Sequence, residues 1–150
     1  YFGNLEINSQ IHQMKPNNYI TIAVGVVINK QDELLTVQKN GSSYYQLPGG
    51  KIEGEERPVD SLIRELNEEL HILLKEQHCK LLGVHEAQAV NEAGKTVRGY
   101  VFQCEFVDQF EQIEPHAELR EIRWVKKTEI EEVKLANLLK QFALPIWMEN

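Results

Sequence analysis

Glu65, Glu68 and Glu69 crowd into the run Arg64-Glu65-Leu66-Asn67-Glu68-Glu69. Carboxylates packed this closely serve one chemistry in particular, the binding of a hard divalent cation through oxygen. Val59, Leu62, Ile63, Leu66 and Leu70 recur at helical spacing and predict a helix under these acids. Pro58 suits its first turn, where the missing N–H costs nothing. On such a helix the three glutamates span an arc of roughly 100° beside the apolar stripe, with Glu69 at the stripe's margin. Like charges at i,i+3 and i,i+4 repel by a few tenths of a kcal/mol each, and the helix dipole disfavours anions in the C-terminal half. A solvated acidic face is the ordinary explanation of a Glu pair on a helix. Against it stand the glycine-rich turn Leu47-Pro48-Gly49-Gly50-Lys51 and the Arg64-Glu65 pair at fixed offsets from it. Local rules broken together in this way are expected at functional sites.

The pattern Gly50, five residues, Glu56, seven residues, Arg64-Glu65-Leu66-x-Glu68-Glu69-x-x-Ile72 resembles the signature of the Nudix hydrolases, G-x5-E-x7-R-E-U-x-E-E-x-G-U with U aliphatic, in its MutT-like form. Every charged position, the first glycine and both aliphatics agree. His71 stands where the family has the glycine of a left-handed C-cap. Histidine is among the residues found more often at positive φ, so a capping cost or a slightly longer helix is expected, with the chemistry intact.

The resemblance implies Mg2+-dependent hydrolysis of a nucleoside diphosphate linked to another moiety, with Mn2+ as a substitute. It makes Glu68 and Glu69 the direct metal ligands, with the Gly49 carbonyl as a further one. Glu65 would bind metal or orient and deprotonate the attacking water. Arg64 enters the catalytic set by holding the loop onto the helix, and Glu56 either completes the acidic cluster or pairs with Arg64. MutT-like proteins add a glutamate from a late loop before a tryptophan-bearing strand. Glu118, six residues ahead of Trp124, takes that place, with Glu121 as runner-up. Lys51 and Lys39 are candidates for phosphate contact, Lys39 being equally a solvated strand-end lysine. Tyr45 either stacks on the substrate base or is a buried sheet aromatic. Asn137 either reads a base edge or lies plainly on a helix surface. His78, His85 and His116 are expected to be structural or exposed.

For substrate, the first expectation is a nucleoside triphosphate, normal or oxidised, giving the monophosphate and pyrophosphate. ADP-ribose or a nucleotide sugar is the alternative within the same chemistry. A nucleotide-sensing or RNA-binding Nudix domain without turnover is the alternative from another class. Such domains typically lose charged positions of the box, and this chain keeps them all.

These residues must be positioned by the elements around them. Strands are predicted over 19–29, 33–38, 44–47, 80–90, 96–106 and 120–125, with Asn91-Glu92-Ala93-Gly94-Lys95 as a hairpin loop. One or two helices follow over 127–141, with Thr128 as N-cap and Glu131 completing a capping box. Strands with one central and one C-terminal helix make an α/β (α+β) layered domain. The resemblance implies the Nudix fold, a mixed β-sheet sandwiched between α-helices with a loop-helix-loop box, over residues 19–145. Residues 1–18 read as a disordered extension or a vector-derived remnant.

The 150 residues suit one domain with a real core. A formal charge of -7 argues against non-specific nucleic-acid binding, which needs Lys and Arg against phosphates. A small nucleotide substrate remains compatible, because a cation inverts the local sign. Cys79 and Cys104 are too few for a disulfide framework and lack zinc-site spacing. No apolar run has transmembrane length, so a cytoplasmic protein without membrane contact is expected, with monomer and homodimer both left open.

Overall fold

The computed structural model describes residues 18–149. Its central strand is β1 (Tyr19–Val26), followed by β2 (Leu34–Lys39), β3 (Gly49–Lys51), helix α1 (Pro58–Leu70), β4 (Cys79–Gln88), β5 (Thr96–Cys104), β6 (Leu119–Val125) and a short C-terminal helix, α2 (Leu144–Met148). β1 pairs parallel with β5 and antiparallel with β3, and β4 lies antiparallel on the far side of β5. The result is a mixed sheet in the order β3-β1-β5-β4, accompanied by an antiparallel β2-β6 ribbon.

Side-chain alternation along β1 sends its residues into two different cores. Ala23 packs with Leu62, Leu66 and Leu70 of α1, whereas Val24 and Val26 pack with Leu138, Leu139, Ala143 and Trp147 of the C-terminal segment. Helical segments therefore cover both faces, in the α+β sandwich expected from the sequence. Only the second half of β1 is buried on both faces; Tyr19 to Ile22 are half-covered. Trp147, fully buried, donates its indole N–H to Asp32 in the β1–β2 turn at 3.2 Å and ties the C-terminus to the sheet.

Three sequence expectations need correction. No strand forms over 44–47; Tyr45 and Gln46 make single bridges to Leu135 and Val37. The glycine pair, read as a turn, is itself a strand, with Gly49 opposite Val24 and Gly50 opposite Ala23. Gly49 has φ +139, and a Cβ there would lie 2.1 Å from the Ala23 carbonyl oxygen, so only glycine allows this approach. Over 127–141 the chain forms a 3-10 segment (Lys127–Glu132) and then a helix whose turn Leu139–Ala143 is π-wound. Pro145 explains the widened turn, because it has no N–H to give and crowds the carbonyl four residues back. The capping acceptor is Glu129, taking the Lys126 N–H at 2.9 Å, in place of the Thr128–Glu131 pair. The reading of residues 1–18 falls outside the described residues, apart from Asn18.

Candidate metal and nucleotide site

Helix α1 begins at Pro58 with no side-chain cap and ends at His71, whose φ of 56 and ψ of 36 place it in the left-handed region. The His71 N–H reaches the Asn67 carbonyl at 3.0 Å and the Ile72 N–H the Leu66 carbonyl at 3.3 Å. His71 thus fills the glycine's role without lengthening the helix. Val59, Leu62, Leu66 and Leu70 are buried as the periodicity predicts, and Glu69 is buried with them.

The loop between β3 and α1 is held by Arg64. Its guanidinium grips Glu56 with two parallel bonds, Nε to Oε2 at 2.8 Å and Nη2 to Oε1 at 2.9 Å. Such a fork-to-fork pair fixes geometry as well as charge. The Arg64 bond holds the Glu56 carboxyl down at about 2, helped by the Glu53 backbone N–H. Arg64 and the Ser61 hydroxyl both donate to the Lys51 carbonyl at 3.2 Å, fastening the end of β3 to the first turns of the helix. Of the two roles open to Glu56, the structure shows the pairing with Arg64.

The remaining acids sit beyond this clamp. Glu65 lies against Gly50 so closely that a Cβ there would stand 2.5 Å from the carboxyl carbon. Its Oε1 accepts from Arg64 at 3.1 Å, and burial pushes its carboxyl up, against the pull of Arg64 and Lys39. Glu68 is half exposed and leans on Arg64 at 3.4 Å. Glu69 is only 2% exposed, and its Oε1 is buried with no hydrogen-bond partner. Burial pushes the Glu69 carboxyl up to about 7; Lys39 opposes this, while Glu65, Glu118 and Glu68 add to it.

Among the described residues, no three His, Cys, Asp or Glu side chains already converge as a finished coordination shell. Arg64 accounts for this by drawing Glu65 and Glu68 toward itself while Glu69 points inward. The donor set still fits a hard cation. A buried carboxylate oxygen without a partner is costly, and here three further carboxylates raise that cost. A divalent ion supplies the missing positive charge and takes oxygen ligands of this kind.

Glu118 arrives on the far wall, in the loop before β6. Its carbonyl accepts the Asn40 N–H at 2.9 Å, and it lines a cavity of about 310 Å³ together with Lys39, Gly49, Gly50 and Lys51. Ile20, Ile22, Val97 and Leu138 form the apolar part of that cavity, with the amides of Gln46, Gln88, Asn91 and Asn137 at its polar points. The partial exposure of the first half of β1 follows, since its isoleucines face this space. Asn137 donates to the Gln88 carbonyl at 2.8 Å. Asn91 and Ser42 bond reciprocally at 3.0 and 3.3 Å, pinning the β4–β5 loop to the loop after β2.

Tyr45 is not brought into the cavity. Its hydroxyl donates to Glu121, and the Arg123 guanidinium lies 5.6 Å from its ring centroid. Glu121, on β6, is thereby engaged away from the acidic cluster. Sequence reasoning missed Gln46, Gln88, Asn91 and Ser42, since lone amides and hydroxyls in loops or at a strand end carry no periodic signal. Of the two roles expected for His116, structural or exposed, the structure shows the first: the His116 N–H donates to the Glu69 carbonyl at 2.9 Å.

The model of the NUDIX domain matches residues 20–144, and the chain therefore belongs to that family. An 8-oxo-dGTP diphosphatase of Proteus vulgaris is 35% identical over 63 residues, which cover 39% of this chain and 56% of that protein. The chain thus spans little more than half the length of this relative. Among solved structures, a MutT protein from Methanosarcina mazei Go1 superposes with a TM-score of 0.68 at 20% identity, covering 87% of this chain and 94% of that one. A bifunctional NMN adenylyltransferase/ADP ribose pyrophosphatase from Francisella tularensis, complexed with AMP and Mn ion, gives 0.70 at 20% identity over 98% of this chain and 47% of that one. At these identities the two structures attest the fold alone.

Proposed function

We propose that this chain is a divalent-metal-dependent pyrophosphohydrolase acting on nucleoside triphosphates, normal or oxidised. Water adds at phosphorus, the bridging P–O bond between the α- and β-phosphates breaks, and the products are the nucleoside monophosphate and pyrophosphate. The observation that carries this reading is the partnerless Glu69 Oε1, buried among carboxylates on the helix whose Glu65 packs against Gly50, a residue of the wall of a cavity that Lys39, Lys51 and Glu118 also line.

Glu69 and Glu68 would hold Mg2+, or Mn2+ in its place, with the Gly49 carbonyl and Glu65 as further oxygen donors. When bound, such an ion neutralises phosphate charge and makes water nucleophilic near neutral pH. The chain's own residues do the rest. Lys39 and Lys51, both lining the cavity, bind the phosphate chain. Arg64 keeps β3 and α1 in register, so the acids and the glycine backbone face the same phosphate. Glu65, whose Oε1 is occupied by Arg64, presents Oε2 to orient the attacking water and accept its proton. Glu118 assists from the opposite wall. The apolar end takes the nucleoside, with Asn137 and Gln46 offering amide edges to the base.

The volume supports one nucleoside with its phosphates, and the similarity to an 8-oxo-dGTP diphosphatase points the same way. ADP-ribose is the second reading, favoured by the similarity to the Francisella ADP ribose pyrophosphatase. No helix among the described residues is long and apolar enough to cross a membrane. The test is a panel of canonical and oxidised triphosphates, ADP-ribose, sugar nucleotides and dinucleoside polyphosphates offered with Mg2+, with products separated by anion exchange. Triphosphates hydrolysed fastest to monophosphate and pyrophosphate are the expected result. No turnover of any compound would replace the enzyme reading with a sensing one.

A further inference from the structure

The C-terminal end of α1 carries an arrangement that the motif does not explain. The ring of His71 lies flat on the ring of His116, with centroids 3.6 Å apart and planes 10° from parallel. His71 occupies its position at φ 56, a conformation that costs a side chain what it does not cost glycine. The chain bears that cost at the place where the family signature carries its second glycine. The same two segments meet a second time through the backbone. Carbonyls in the last turn of a helix have no partner within it, and the Glu69 carbonyl is served by the His116 N–H at 2.9 Å.

Past His116 the path to Glu118 is fixed at each step. The Leu119 N–H returns to the His116 carbonyl at 3.1 Å. Ala117 turns through φ 54, and the Glu118 carbonyl takes the Asn40 N–H at 2.9 Å. Glu118 emerges close enough to Glu69 for its charge to act on that carboxyl, and it lines the cavity. The anchor is therefore two residues before the acid that approaches the site from the far wall.

We propose that the His71–His116 stack is a positioning device, holding the loop at 113–118 against the end of α1 so that Glu118 faces Glu69 across the phosphate path. His71 and His116 touch no substrate; they act through Glu118. The proposal rests on the hydrolase reading above and on the role it gives Glu118.

His71→Gly separates this role from a purely structural one. Glycine relieves the left-handed strain, so thermal stability should hold or rise, while kcat falls about tenfold because a misplaced catalytic group is costly. KM should stay within about twofold, since phosphate and base contacts are untouched. His116→Ala should reproduce the loss of kcat, and His116→Phe, which keeps a flat ring, should restore most of it. The double variant His71→Gly/His116→Ala should be no slower than either single one, as for two halves of one contact. Hydrogen exchange gives a readout independent of turnover: the His116 and Asn40 amides should exchange faster in His71→Gly, with the amides of α1 unchanged.

Native kcat and native exchange in His71→Gly would overturn the proposal. If Glu118→Gln were slow and His71→Gly normal, the stack alone would be refuted. If Glu118→Gln kept the full rate, the role of Glu118 would fall, and the positioning claim with it. If the unaltered protein hydrolysed no nucleotide, the hydrolase reading would fail; unchanged exchange at His116 and Asn40 would then refute the anchoring as well, and faster exchange would support it.

Discussion

The acidic cluster and the cavity wall next to it are two ends of one site built in opposite ways. At the acidic end Glu65, Glu68, Glu69 and Arg64 come from six consecutive residues of one helix, with Glu65 packed against Gly50 of β3 in the cavity wall. At the amide end Gln46, Gln88, Asn91 and Asn137 come from segments far apart in the chain, joined by Asn137 to Gln88 and Asn91 to Ser42. The first end is under electrostatic stress, with a buried unpartnered oxygen; at the second the side-chain amides of Asn91 and Asn137 already have partners. A site that activates water needs fixed geometry and tolerates strain, whereas a site that selects a nucleoside needs adaptable walls. Holding the chemistry on one rigid helix while the walls come from several separate segments allows specificity to change without disturbing the reaction.

If that division is right, substitutions at the acidic end should dominate. Glu68→Gln and Glu69→Gln should each lower kcat at least about 100-fold, more than supporting positions near a metal usually cost, with circular dichroism unchanged. Near-native turnover in either would erase the contrast.

Next comes the clamp. Arg64→Lys keeps a charge but loses the two-pronged grip on Glu56. It should cost on the order of tenfold in kcat, through displaced loop geometry. An equal loss in Glu56→Gln would locate the effect in the Arg64–Glu56 pair.

The stress itself is measurable without substrate. The folded carboxyl of Glu69 is pushed up to about 7, above the value near 4.3 of an unperturbed glutamate. Its favourable contribution is therefore present at low pH and is lost as pH rises through about 7, where the folded protein must give up that proton. In the metal-free protein, Glu69→Gln should raise stability by roughly 1–3 kcal/mol at pH 8 and by less at pH 5, as urea unfolding would show. A pH-independent difference would contradict this assignment.

The smallest effects belong to the walls. Asn137→Ala should raise KM for one base more than for others, by about tenfold at most, while kcat at saturation stays close to native. Tyr45→Phe removes a hydroxyl bonded to Glu121 outside the cavity, and should change kcat/KM by less than about twofold. A large effect there would bring Tyr45 back to the substrate.

The legibility of the chain follows the same division. Helix α1, its buried stripe and its crowded acids could be read because each signal is local: Pro58 at the start and a 3.6-residue period. At His71 the sequence left a left-handed cap and a longer helix both open, and the structure takes the cap. Gly49 and Gly50 were taken for a turn because their strand character depends on Ala23 and Val24, more than twenty residues away. The helix over 127–141 was misjudged in form because the consequence of Pro145 appears only where the carbonyl it crowds must find another donor. The meeting of His71 with His116, and the amides around the cavity, required the fold itself. Nothing in residue type or spacing announces a contact across forty-five residues.

The central claim is that the Glu69 carboxylate is held ready for a cation. Calorimetric titration of the metal-free protein with Mn2+ near pH 7, in buffers of different ionisation enthalpy, tests it most directly. Binding that releases a fraction of a proton, with affinity at least about tenfold weaker and proton release abolished in Glu69→Gln, is the predicted result. Equal Mn2+ affinity in both proteins, with no proton released by either, would contradict it.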